Sequence, residues 1–92
     1  MKQDQDYMEN DTDKKYIWRH IKDNTNTYIV GEILYIGEYI ETDKIWYKIL
    51  RVLRCDDKVW HVGEEVWFNK SEGKEGVNYK FLTEDEALVY LI

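Results

Sequence analysis

The chain has no proline and a single cysteine, Cys55, among its 92 residues. Without proline there is no PxxP segment and no stiff Pro-rich linker. One thiol cannot close an internal disulfide, so a reducing, intracellular setting is expected, with the cytoplasm as the location. No run approaches the roughly 18 apolar residues that a membrane-crossing helix needs. The N-terminal MKQDQDYMEN also lacks the apolar core of a signal peptide. No membrane role is expected. Histidines number two, His20 and His61, and glycines five, so catalytic and phosphate-cradling motifs have little to draw on.

These scarcities weigh against enzyme and metal chemistry. A Cys55–His61 dyad has no glycine-rich oxyanion or phosphate loop to accompany it. Cys55, Asp56, Asp57 and His61 have neither CxxC nor HxxxH spacing. Asp11-Thr12-Asp13 opens like a calcium loop, but Tyr16 stands where the loop needs glycine and Lys22 where it needs a bidentate glutamate. The expectation is a non-enzyme with no cofactor and no metal.

What the chain has in plenty is aromatic side chains, 15% of residues, with four Trp and eight Tyr. Net charge is −6. Residues 1–13 hold five acids against Lys2, and the rest holds 14 acids against 12 bases. The acidity is therefore concentrated in a polar N-terminal stretch, read as a flexible acidic arm over 1–14, ahead of one domain over 15–92. A duplex-DNA binder would carry the opposite excess.

Short β-branched and aromatic runs separated by turn chemistry predict a mainly β chain. Tyr16–Lys22 suits a strand, DNTNT (23–27) a turn, and Tyr28–Ile36 a central strand. Gly31 inside that strand signals a bulge or a close backbone approach. The segment 45–54 (IWYKILRVLR) is ambiguous. As a helix it puts Ile45, Trp46, Ile49, Leu50, Val52 and Leu53 on one side, with Asp43 as N-cap. As a strand its pattern is poorer, but the β-rich context favours it. Lys58–Val62 and Glu65–Asn69 read as strands around a Gly63-Glu64 corner, and Val77–Leu82 as the last strand. Thr83-Glu84-Asp85-Glu86 is a capping box opening a helix over 84–92. That helix is too short to persist alone, so it must dock on the sheet and bury the C-terminus. The expected fold is a small antiparallel SH3-like barrel or bent meander of five or six strands with a short C-terminal helix.

Four tryptophans do not fit one core of this size, so at least one is expected at the surface. Alternation sends Val66 and Trp67 to opposite faces, and likewise Val59 and Trp60. The face shared by Trp60 and Trp67 is then either core or binding surface. Trp46, Trp60 and Trp67, with the turn acids Asp56, Asp57, Glu64 and Glu65, are the candidate protein-binding residues. The implied function is a protein-binding module, an acidic inhibitor or regulator of a basic, nucleic-acid-handling protein of the kind a phage or mobile element encodes. A second reading uses Lys44, Trp46, Tyr47, Lys48, Arg51, Arg54 and Lys58 as a basic and aromatic stripe for single-stranded nucleic acid. A third is a structural or self-associating subunit that pairs through an edge strand.

Overall fold

A computed structural model describes residues 14–22, 26–37, 42–55 and 60–92. Five strands are present: β1 (Tyr16–Ile21), β2 (Thr27–Ile36), β3 (Lys44–Arg54), β4 (Glu65–Asn69) and β5 (Tyr79–Leu82). They form one antiparallel sheet in the order β4-β3-β2-β1-β5. A 3-10 turn (Lys70–Glu72) follows β4, and the helix α1 (Glu84–Leu91) follows β5. The segment 45–54 is thus strand. Of the expected acidic arm over 1–14, residues 1–13 lie outside the described residues, and Lys14 is exposed.

The helical look of 45–54 has a physical origin. Gly31 faces Ile49 and Val30 faces Arg51, so Leu50 is an extra residue in β3. A bulge of this kind shifts the alternation by one. Ile45, Tyr47, Ile49 and Val52 therefore all reach the core. The spacing from Ile45 to Ile49 to Val52 is four then three, which a helix would also produce. Two further irregularities, at Leu53 and at Leu34, bend the β2–β3 pair. Gly31 sits at the Leu50 bulge because nothing larger fits. A Cβ there would lie 2.6 Å from the Lys48 carbonyl oxygen and 2.7 Å from the Tyr47 ring.

The bent sheet rolls around its inner face. Ile17, Ile29, Ile45, Tyr47 and Ile49 are fully buried there, and Phe68 and Tyr79 nearly so. Phe68 lies on one edge strand and Tyr79 on the other, yet their ring centroids are 5.3 Å apart in an edge-to-face contact. Tyr47 also meets Phe68 edge-on at 6.1 Å. The Arg19 guanidinium lies 3.8 Å from the Phe68 centroid and donates to the Tyr47 hydroxyl at 3.2 Å. Among the described residues no ladder joins β4 to β5, so the sheet is open between its two edges.

The helix covers part of the outer face, touching β1, β2, β3 and β5. Val30, Leu82 and Ala87 are buried in this second layer. The capping box forms as its sequence predicts: the Thr83 hydroxyl accepts from the Glu86 N–H at 3.2 Å, and the Glu86 carboxylate accepts from the Thr83 N–H at 2.8 Å. These bonds hold the Glu86 carboxyl below its usual range. Arg51 donates to the carbonyl oxygens of Tyr90 (2.7 Å) and Ile92 (3.1 Å), putting a cation where a helix end favours one. The expectation of a buried C-terminus fails. α1 ends at Leu91, and Ile92 is 92% exposed. The carbonyls of the last turn satisfy themselves with Arg51, which needs no burial of the terminal side chain.

Two strand expectations also change. Trp60–Val62 is not a strand; Lys58 and Val59 lie outside the described residues. His61 and Glu64 close a tight turn instead, with the Glu64 carboxylate accepting from the His61 N–H at 2.6 Å. Gly63 forms the corner at φ +94°, and its N–H donates to the Ile49 carbonyl at 2.8 Å. The last strand starts at Tyr79, after a turn through Val77 and Asn78.

Two outcomes follow from this core. Phe68→Ala should lower unfolding free energy by about 3–5 kcal/mol, since it empties the contact between the two sheet edges; urea denaturation measures this. The second outcome concerns pH. Burial raises the phenol pKa of Tyr47 above 10.0, with Arg19 pulling it down, and burial with Glu75 and Asp43 raises that of Tyr79. A folded pKa above the unfolded one gives stability that is complete below the unfolded value and lost as pH rises through the folded value. Stability should therefore decline from about pH 10 upward, and Tyr47→Phe should make that decline shallower.

Candidate functional site

The outer face carries an aromatic row outside the helix-covered area. Strand register places Tyr35 opposite Trp46, and Trp46 opposite Trp67. The Trp46 and Trp67 rings lie 6.0 Å apart at a 42° tilt. Tyr35 is 49% exposed and Trp67 44%. Lys44 extends over Trp67, its Nζ 4.3 Å from the ring centroid. The next row is Glu32, Lys48 and Glu65, all exposed, so it alternates acid, base, acid. Three strands of the sheet hold these side chains in fixed register, and cross-strand pairs of aromatics stabilise such a face as well as presenting it.

A second aromatic group sits elsewhere on the outer face. Trp18 on β1 lies 5.9 Å from Tyr28 on β2, and His20 stacks flat on Tyr28 at 4.3 Å. His20 Nε2 is 2.9 Å from Asn26 Oδ1. Asn26 has φ +53°, a conformation Asn tolerates. Lys80 on β5 places its Nζ 4.9 Å from the Trp18 centroid. The sequence reading missed this group. Its signal was available: Trp18 and His20 are two apart, and both oppose aromatic or apolar residues of the following strand.

The candidate residues separate once placed on the sheet. Trp46, Trp67, Lys44, Lys48 and Glu65 share the outer face. Trp60 packs against the inner core, with its indole N–H buried and without a partner among the described residues. The expectation that Trp60 and Trp67 share a face therefore fails, because the strand that was to align them is a turn. Glu64 belongs to that turn. Tyr47 is fully buried on the inner face, so it offers nothing for a base to stack on. Arg51 is engaged with the end of α1, and Arg54 stands at the far end of β3 opposite Tyr28. Asp56, Asp57 and Lys58 lie outside the described residues. Lys44, Lys48, Arg51 and Arg54 all lie on the outer face along β3, with Lys48 between Glu32 and Glu65 and Arg51 engaged by the end of α1.

Elsewhere, among the described residues, the surface has shallow depressions. One, of about 420 Å³, is lined by Lys15, Tyr16, Thr83, Glu84 and Asp85, and one of about 270 Å³ by Lys14, Ile36, Glu75 and Phe81. Neither touches the aromatic row. No helix among the described residues is long and apolar enough to cross a membrane. No known protein family, curated protein or solved structure matches the chain.

The different roles of the tryptophans can be measured. Trp67→Ala should change unfolding free energy by less than about 1 kcal/mol, as expected for one exposed cross-strand pair. Trp60→Ala should cost more than about 2 kcal/mol, because it opens the core. Urea denaturation of both variants makes the comparison.

Proposed function

We propose that the chain is a non-enzymatic binding module that engages a protein partner through Tyr35, Trp46 and Trp67. The observation that carries this reading is the row itself: three aromatics in register, two of them close to half exposed, on a rigid sheet. Tryptophan and tyrosine held in this way lose little entropy on binding and are favoured anchors. Glu32 and Glu65 border the row, and the chain carries a net charge of −6, so the complementary partner has basic groups around an apolar contact. An acidic inhibitor or regulator of a basic, nucleic-acid-handling protein in the cytoplasm fits this chemistry, as would a phage or mobile-element origin. The proposal extends to the fold: an SH3-like barrel, supported by the strand order, the 3-10 turn between β4 and β5, and the ring contact across the open seam.

A second reading, single-stranded nucleic-acid binding, draws on Lys44 above Trp67 and Lys80 above Trp18. The acid–base–acid row beside the tryptophans weighs against it, since phosphates would meet Glu32 and Glu65.

With a partner captured on the immobilised chain, Trp46→Ala and Trp67→Ala should each weaken binding by about tenfold or more, as interface anchors do, whereas Trp18→Ala should leave it unchanged. Surface plasmon resonance reads the affinities. In parallel, an oligonucleotide titrated at low salt should leave tryptophan emission unchanged; quenching that added salt reverses would replace the protein-binding reading with the nucleic-acid one.

A further inference from the structure

The two edges of the sheet are not alike. At the β5 edge the strand is four residues long, contains Lys80, and has the Tyr79 carbonyl already taken by the Gly76 N–H at 2.8 Å. Among the described residues the β4 edge is less protected, with Glu65 as its one charge. Its ladder to β3 runs through five pairs without a bulge, and EVWFN contains neither lysine nor proline. Natural sheets usually blunt such an edge with one of these devices.

Hydrogen-bond parity shows what that edge presents. The Lys70 N–H donates to the Asp43 carbonyl at 2.6 Å, and the Ile49 N–H donates to the Glu64 carbonyl at 2.8 Å. Bonded pairs alternate along an antiparallel ladder. In this register the bonded pairs are then Ile45 with Phe68 and Tyr47 with Val66. The backbone N–H and C=O of Glu65, Trp67 and Asn69 consequently point away from β3. Among the described residues, no backbone hydrogen bond outside the sheet takes them.

We propose that β4 pairs antiparallel with β4 of a second copy of this chain, about a two-fold axis at Trp67. The parity fits only a register in which outward-pointing residues meet each other. Centred on Trp67, that register sets Trp67 opposite the partner's Trp67 and Glu65 opposite the partner's Asn69. All the outward groups of both strands are then satisfied. The charges agree as well. Each Glu65 has its own Lys48 on one side and the partner's Asn69 on the other, with the partner's Lys44 one strand further. No like charges face each other. The pairing makes one continuous ten-stranded sheet and joins two aromatic rows into one of six rings. Two five-residue strands bury much less than the standard interface of about 1,600 Å², so the dimer is weak, with a dissociation constant between about 1 μM and about 1 mM.

The pairing uses the backbone edge, whereas partner binding uses side chains of the face, so either can fail alone. Amide hydrogen exchange followed by NMR at low and high protein concentration, up to about 1 mM, tests it. The N–H groups of Glu65, Trp67 and Asn69 should slow by about twofold or more at about 1 mM relative to high dilution, while those of Val66 and Phe68 stay protected throughout. Sedimentation should show the matching rise in mass. On a Cys55→Ser background, Trp67→Cys should cross-link to itself under oxidation. Glu65→Cys and Asn69→Cys should cross-link only when mixed, because a disulfide needs Cα atoms within about 7 Å. A strict monomer at the highest concentration, or outward amides whose exchange ignores concentration, overturns the proposal. Self-cross-linking of Glu65→Cys would overturn the register.

Discussion

Two strands that share no hydrogen bond hold this sheet in its rolled shape through one ring. Phe68 reaches from β4 across the open side to Tyr79 on β5, with Tyr47 against its edge and the Arg19 guanidinium near its face. The β ladders fix the order of the strands, and the irregularities at Leu34, Leu50 and Leu53 bend them. The ring cluster sets how far the sheet closes. Closure in turn decides which residues are interior, and so which face is left to carry the aromatic row and the helix.

Arg19 is the unusual member of that cluster. Arginine tolerates such a place because its planar, weakly hydrated guanidinium stacks on aromatic faces. The Tyr47 hydroxyl takes one N–H, whereas Nε is buried without a partner among the described residues. A lysine would supply the charge but not the flat surface that lies against Phe68. A leucine would fill space but leave the buried Tyr47 hydroxyl without its donor.

Much of the architecture is legible in the sequence where a single residue has a single physical reason. Gly31 signals a bulge or close approach, and the backbone of β3 passes where its side chain would be. Gly63 signals a corner and adopts positive φ. Thr83 and Glu86 announce the capping box, which forms. The alternation of Val66 against Trp67 sorts core from surface correctly. The failures arise where a distant contact overrides the local pattern. Trp60–Val62 alternates like a strand, but the hydrogen bond from Gly63 to Ile49 turns the chain first. Tyr47 sits among basic residues and resembles a surface aromatic, yet plain alternation with Ile45 and Ile49 puts it in the interior, and the extra residue at Leu50 only brings Val52 there too. The candidate site is half legible: Trp46, Trp67 and Lys44 are recognisable as types, but Tyr35 joins them only through cross-strand register.

The strand order also governs how the chain reaches this state. β1 must wait for β5, since Tyr16 pairs with Leu82 near the other end of the sequence, and the helix follows β5. The hairpins β1–β2 and β2–β3 close over short distances and can form early. The β1–β5 ladder requires a long loop to close first, whereas Phe68 and Tyr79 lie only 11 residues apart and need a short one. Assembly should therefore begin with the central hairpins. By the same reasoning the aromatic row on β2, β3 and β4 should exist before β1 and β5 have paired, and the β1–β5 ladder should be the last to form.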